Sequence, residues 1–247
     1  MFEAIDWQQV LLIGGILFAA TVVVRLAGFG GSLVAMPLIV PSLGLAVSAA
    51  LMNLFGVTNF SFVIFQQWRD LTFGDVWRII LAGALFYGVG IWMVVYIPES
   101  VMRFGLGVIC ILFALYGLAK LPFPRLMHPI WEWATGVFAG LFGGAFSVSG
   151  VPAILYASTQ DWEPVRFRLN MFTFFLSMSF IGVILRIFAG QITGELIAIW
   201  LTAVPFLFAG IRLGEFLTRF VSREQFRQIV HVLLIILGVR MINSALG

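Results

Sequence analysis

Polar positions are sparse along this chain and separate long apolar stretches over roughly 8–43, 45–66, 76–97, 100–119, 130–158, 164–188, 195–218 and 223–246. One crossing of a bilayer takes about 20 helical residues. The second, third, fourth, sixth, seventh and eighth stretches fit that length. The first and fifth are longer, and each is interrupted. Between Arg25 and Pro37 (RLAGFGGSLVAMP) stand a charge, Gly28, Gly30, Gly31 and Ser32, and the fifth stretch carries Ser147, Ser149 and Gly150. The pattern predicts an all-α polytopic membrane protein. Apolar runs that are continuous rather than alternating exclude a transmembrane β-barrel.

The two halves of the chain resemble each other. Gly28–Gly31 answers to Ser147–Gly150, Asn53 to Asn170, Asp75 to Glu195 and Arg103 to Arg227, at separations of 119, 117, 120 and 124 residues. Four pairs in order predict a duplication. A first repeat covers 1–119 with its broken helix over 8–43. A proline-containing linker follows over 120–129, and a second repeat covers 130–247 with its broken helix over 130–158. Repeats built around interrupted helices are a signature of secondary transporters.

Composition narrows the class. The chain of 247 residues is 62% hydrophobic and 10% charged, with mean hydropathy +1.09, too little polar surface for a soluble domain of this size. Its start has an acidic flank and no small-residue cleavage site, so the first apolar run is expected to stay in the mature protein. The net charge of +3 gives no reason to invoke nucleic acid. Cys110 is the only cysteine, and neither His128 nor His231 has a ligand-type residue at metal spacing, so no cofactor or metal is expected.

Charge placement then predicts topology. If the first and fifth stretches enter the membrane and turn back, Arg69, Arg78, Lys120, Arg125, Arg166, Arg168, Arg219, Arg223 and Arg227 share one face, with Arg103 on the other. That asymmetry satisfies the positive-inside rule, which full crossings by all eight stretches violate. Three crossings per half make the repeats inverted and put both termini outside the cytoplasm.

Irregular backbone survives in a membrane where protein shields it or it lines a cavity. A helix restarting after a break points free N–H groups and its positive dipole end at the gap, which suits an anion. The candidate substrate site is therefore Arg25, Gly28, Gly30, Gly31, Ser32, Asn53, Ser147, Ser149, Gly150 and Asn170, with the two breaks expected near the bilayer midplane. Arg25 offers a fork for an oxoanion, and the serines and the two asparagines offer hydrogen bonds. Pro37 is expected to weaken its helix, Arg212 and Glu215 to pair, and Arg186 and Arg240 to lie at the outer interface.

The strings AGFGGSLVAMPLIV with LMNLF, and AGLFGGAFSVSGVPAILY with RLNMF, resemble the two glycine-rich signatures of the TauE/SafE family of sulfite and sulfonate transporters. The resemblance covers essentially the whole chain. Ser147 and Ser149 stand where glycine is commoner, and Val151 where proline often occurs. It implies a multi-pass protein of the bacterial inner membrane that moves a small anion: sulfite, a sulfonate such as sulfoacetate, or a short carboxylate. A passive channel and a membrane-embedded enzyme are the rival classes. The lipid bilayer is the expected partner, and a coupling ion (H+ or Na+) and a homo-oligomer are left open.

Overall fold

The computed structural model describes residues 7–66, 73–119 and 125–246. Arg69 and Lys120 of the expected positive face lie outside the described residues. Among the described residues the eight apolar stretches become ten helices, because the first and fifth each divide: α1 (Trp7–Ala27), α2 (Gly31–Leu43), α3 (Leu45–Gln66), α4 (Trp77–Tyr96), α5 (Glu99–Ala119), α6 (Ile130–Phe146), α7 (Gly150–Ala157), α8 (Pro164–Phe188), α9 (Gly194–Leu217) and α10 (Arg223–Leu246). No strand occurs among the described residues. Seven helices, α1, α3, α4, α5, α8, α9 and α10, are long and apolar enough to cross a membrane.

The helices pack into two compact units. One holds α1, α2, α5, α9 and α10 with the first turns of α3 as far as Leu51; the other holds the rest of α3 with α4, α6, α7 and α8. Each unit therefore takes helices from both halves of the sequence. Within them the polarity is that of a protein in lipid. On α4 the face with Ile79, Ala82, Gly83, Tyr87, Gly90 and Ile91 is buried, while Leu81, Leu85, Val89, Trp92 and Tyr96 form an exposed apolar stripe.

In the second unit, α4 and α6 run parallel at very short range. A Cβ built on Gly136 would sit 2.5 Å from Ala82 Cβ, and one on Gly140 would sit 3.0 Å from Gly83 Cα. Further along, a Cβ on Gly144 would lie 2.9 Å from Gly90 Cα. Small residues at such spacing let two backbones touch and gain dispersion energy that lipid does not supply. The first unit has a similar parallel pair. Gly14 of α1 meets Phe206 of α9, Phe18 and Thr21 meet Gly210, and Arg25 meets Gly214.

Both broken stretches fold back on themselves. A Cβ on Gly31 would lie 2.6 Å from Val24 Cγ2 and 3.2 Å from the Ala20 carbonyl, so α2 begins alongside α1. Had the helix continued, residue 31 would stand about 16 Å beyond Ala20. In the second hairpin Gln160 Nε2 donates to the Leu126 carbonyl (3.1 Å) and Arg125 pairs with Asp161 (2.9 Å). The chain thus leaves and returns at one end of its unit. Arg125→Cys and Asp161→Cys, each in a Cys110→Ala background, are expected to react with an impermeant maleimide from the same side of the membrane. Labelling from opposite sides would contradict the hairpin.

Pro37 does not interrupt its helix: α2 runs through both Pro37 and Pro41. Proline at 37 lacks the N–H that would bond the Leu33 carbonyl. That carbonyl instead faces the Cys110 thiol of α5 at 3.9 Å, so a neighbouring helix supplies a donor that α2 lacks. At the far end of α2, Leu45 N–H donates to Glu99 Oε1 (3.2 Å), which sets α2 antiparallel to α5.

Charged residues gather at one end of the second unit. Arg166 grips Asp75 with two bonds of 2.6 Å, Asn170 Nδ2 adds a third at 2.8 Å, and Arg78 meets Glu132 at 3.2 Å. The Arg166 hydrogen bonds hold the Asp75 carboxyl below its ordinary pKa. A depressed folded-state pKa means the clip contributes stability above the unfolded value, about 3.9, and loses it as pH falls through the folded one. The melting temperature of the wild type is expected to exceed that of Asp75→Asn at pH 6, with the gap closing below about pH 3.9. A gap independent of pH would show that the clip is not ionic.

Candidate functional site

The two hairpin turns are built differently. In the first, Gly28 and Gly30 take φ of 85° and 89°, a region open to glycine at little cost. Between them Phe29 is buried, edge-on to Phe113 of α5 at 5.8 Å and under the Arg227 guanidinium of α10 at 5.1 Å. The first-turn N–H groups of α2, which include those of Gly31 and Ser32, have no intrahelical acceptor by geometry.

Arg25 faces α9. A Cβ on Gly214 would lie 2.6 Å from Arg25 Cβ, and the charge of Glu215 acts on the guanidinium. The salt bridges among the described residues do not include the expected pair of Arg212 and Glu215. The α1 face that meets α2 carries Ala20 and Val24, roughly a third of a turn or more away from Arg25. The turn comes level with the last turn of α9 and the first turn of α10, because 21 residues in α1 span about 30 Å.

The second turn rests on Ser147, at φ 55° and ψ 29°, the one non-glycine with positive φ among the described residues. Ser147 N–H donates to the Gly143 carbonyl (2.8 Å) and Val148 N–H to the Phe142 carbonyl (3.2 Å). The first of these is the 5→1 bond of an αL closure, with serine at the place usually held by glycine. The left-handed conformation costs a side-chain-bearing residue about 1–2 kcal/mol. The hydroxyl gives something in return: Ser147 Oγ donates to Asn53 Oδ1 at 3.1 Å. Ser149 follows, buried, its Cβ beside Gly143, and Gly150 packs on the Phe175 ring.

Asn53 stands at the centre of this turn although it belongs to the first half of the sequence. Its Oδ1 also accepts from the Tyr87 hydroxyl (2.8 Å). Tyr87 in turn is a partner of the Arg186 guanidinium, which donates as well to the Gly144 carbonyl and to Gln191. Arg186 is fully buried, so its expected place at the outer interface is corrected: α8 carries it against the end of α6, where a cation suits the negative end of the helix dipole. Arg240 is exposed.

Asn53 is 2% exposed, and among the described residues no acceptor reaches its Nδ2. A buried donor without an acceptor costs about 1–3 kcal/mol. A Cβ on Gly182 would fall 2.5 Å from both Asn53 Oδ1 and the Tyr87 hydroxyl oxygen, so only glycine there lets the pair meet.

The structure therefore joins Asn53 to Ser147 at the second turn, where Ser149 and Gly150 also lie, and keeps Gly28, Gly30, Gly31 and Ser32 together at the first. Asn170, fully buried, is given over to the Asp75 clip. Tyr87 and Arg186 were not among the sequence candidates. An arginine within an apolar stretch is a signal for function, but Arg186 is two residues from the end of α8, where snorkelling accounts for it equally well.

No curated protein and no solved structure matches the chain. The family model described as sulfite exporter TauE/SafE matches residues 12–241, nearly the full length and both hairpins. The chain belongs to the TauE/SafE sulfite exporter family.

Proposed function

We propose that this chain is a secondary transporter that carries a small anion across the bacterial inner membrane by alternating access, with sulfite, a sulfonate or a short carboxylate as cargo. The observation that carries this reading is the second hairpin turn. Deep within an apolar unit it collects hydroxyl, amide and guanidinium donors from Ser147, Tyr87, Asn53 and Arg186. Donors without acidic neighbours suit an anion rather than a metal ion or a sugar. The first hairpin supplies a second element of this kind through the α2 amides at Gly31 and Ser32 and the glycine turn at 28–30.

An inverted duplication is part of the proposal. It is supported by the matched succession of a divided helix followed by three long ones in each half. The parallel packing of α1 on α9 and of α6 on α4 supports it too, since these are equivalent pairs under the repeat. Both termini then lie outside the cytoplasm.

A thermal-shift screen of the purified chain tests the cargo class. Sulfite, sulfonates, sulfate and short carboxylates are compared with chloride at equal ionic strength. At least one oxoanion is expected to raise the melting temperature by mass action. Equal shifts for every salt, chloride included, would contradict the reading.

A further inference from the structure

The hydrogen bonds around Asn53 have a direction. Arg186 can only donate, so the Tyr87 oxygen accepts from it, and the Tyr87 hydroxyl donates to Asn53 Oδ1. Ser147 donates to the same oxygen. That fixes the amide: Oδ1 receives two protons and Nδ2 points its two N–H bonds elsewhere. A chain of bonds polarised from a guanidinium strengthens the donor at its far end. The chain Arg186, Tyr87, Asn53 thus ends in an activated N–H group, buried beside a helix turn, with no acceptor among the described residues.

We infer that Asn53, Tyr87, Ser147 and Arg186 form the binding site for one small oxoanion on the second hairpin, with Asn53 Nδ2 as its direct donor and Arg186 as its counter-charge. This rests on the transporter reading and names the residues that read the cargo. A purely structural lock explains part of the arrangement, since Arg186 caps the Gly144 carbonyl and ties α8 to α6. It does not explain an amide left open, because a lock is closed by its own acceptor. The Gly144 carbonyl and the Gln191 side chain are neutral acceptors that orient the guanidinium. Gly143 packs on the Tyr87 ring and Gly182 on the Asn53 and Tyr87 side-chain oxygens, which holds the pair in place. The ligand must be an acceptor, as an oxoanion is and an alkyl ammonium is not.

Calorimetric titration of the full-length chain in detergent with sodium sulfite tests the site, with sodium sulfate and sodium acetate alongside at matched ionic strength. Asn53→Asp keeps the shape and reverses the polarity, and is expected to weaken sulfite binding by about tenfold or more. Tyr87→Phe, which cuts the relay while leaving the packing, should weaken it several-fold. Arg186→Gln should abolish it, with partial rescue in Arg186→Lys. If Arg186→Gln does not remain monodisperse, Asn53→Asp and Tyr87→Phe decide the matter. Wild-type affinity in both would overturn the site while leaving the transporter reading standing. A wild-type chain that binds none of the three anions overturns both.

Discussion

Gly140→Val is expected to lower the melting temperature by roughly 5–10 °C, the equivalent of about 2–3 kcal/mol of overpacking. The cause is geometric. A Cβ at 140 would stand 3.0 Å from the Cα of Gly83 and 3.1 Å from its carbonyl carbon, and backbone cannot swing aside as a flexible side chain can. Valine adds two methyl groups to that collision. The α4–α6 contact must open along its length, which loosens the scaffold that holds Tyr87 and Ser147 in place. Gly88→Ala, on the partner helix α4, is the control: nothing lies within 4 Å of a Cβ there, so its melting temperature should stay at the wild-type value. Equal stability of the two variants would mean that α4 and α6 do not meet through their glycines.

The second large effect is functional. Gly31→Leu is expected to abolish anion transport in proteoliposomes. The first atom of the new side chain would lie 2.6 Å from Val24 Cγ2, with the Ala20 carbonyl 3.2 Å away, so α2 cannot remain on α1. The first-turn amides of α2, at Gly31 and Ser32, would move with it. Gly31→Ala should give an intermediate rate, since one carbon can be absorbed by rotation of Val24. Gly15→Ala on α1, where a Cβ meets nothing within 4 Å, should transport normally. Undiminished transport by Gly31→Leu would remove the first hairpin from the mechanism.

Much of this fold is legible in the sequence, for a physical reason. A membrane helix announces itself by uninterrupted apolarity, and the stretches 45–66, 164–188 and 223–246 recur as α3, α8 and α10 without adjustment. The two breaks are visible because glycine and serine clusters are costly to explain inside a spanning helix. Partnership between helices is harder to read. Asn53 was matched by sequence to Asn170 and so to the first break, yet its side chain meets Ser147 of the second. Nothing in the spacing of α3 says which hairpin it serves, because each packed unit draws on both halves of the chain.

Depth is equally hidden. The breaks were expected near the midplane, but 21 helical residues before Gly28 carry the first turn to the last turn of α9. Arg25 looked like the anion's fork because it precedes the glycines by three positions; helix rotation turns it to Gly214 and Glu215 instead. Arg186 looked like an interface residue because it stands at the end of a segment. Only the packing of α8 against α6 reveals that this end is covered.

The central claim is that this chain is a carrier for a small anion, and counterflow measures it most directly. Proteoliposomes holding the purified chain are preloaded with unlabelled sulfite and diluted into a trace of labelled sulfite. A carrier that alternates between two faces exchanges one for the other, so a transient accumulation of label above its equilibrium level is predicted, saturating with sulfite concentration. Label that enters only to equilibrium, at a rate rising linearly with concentration, would contradict the account and indicate a passive pore.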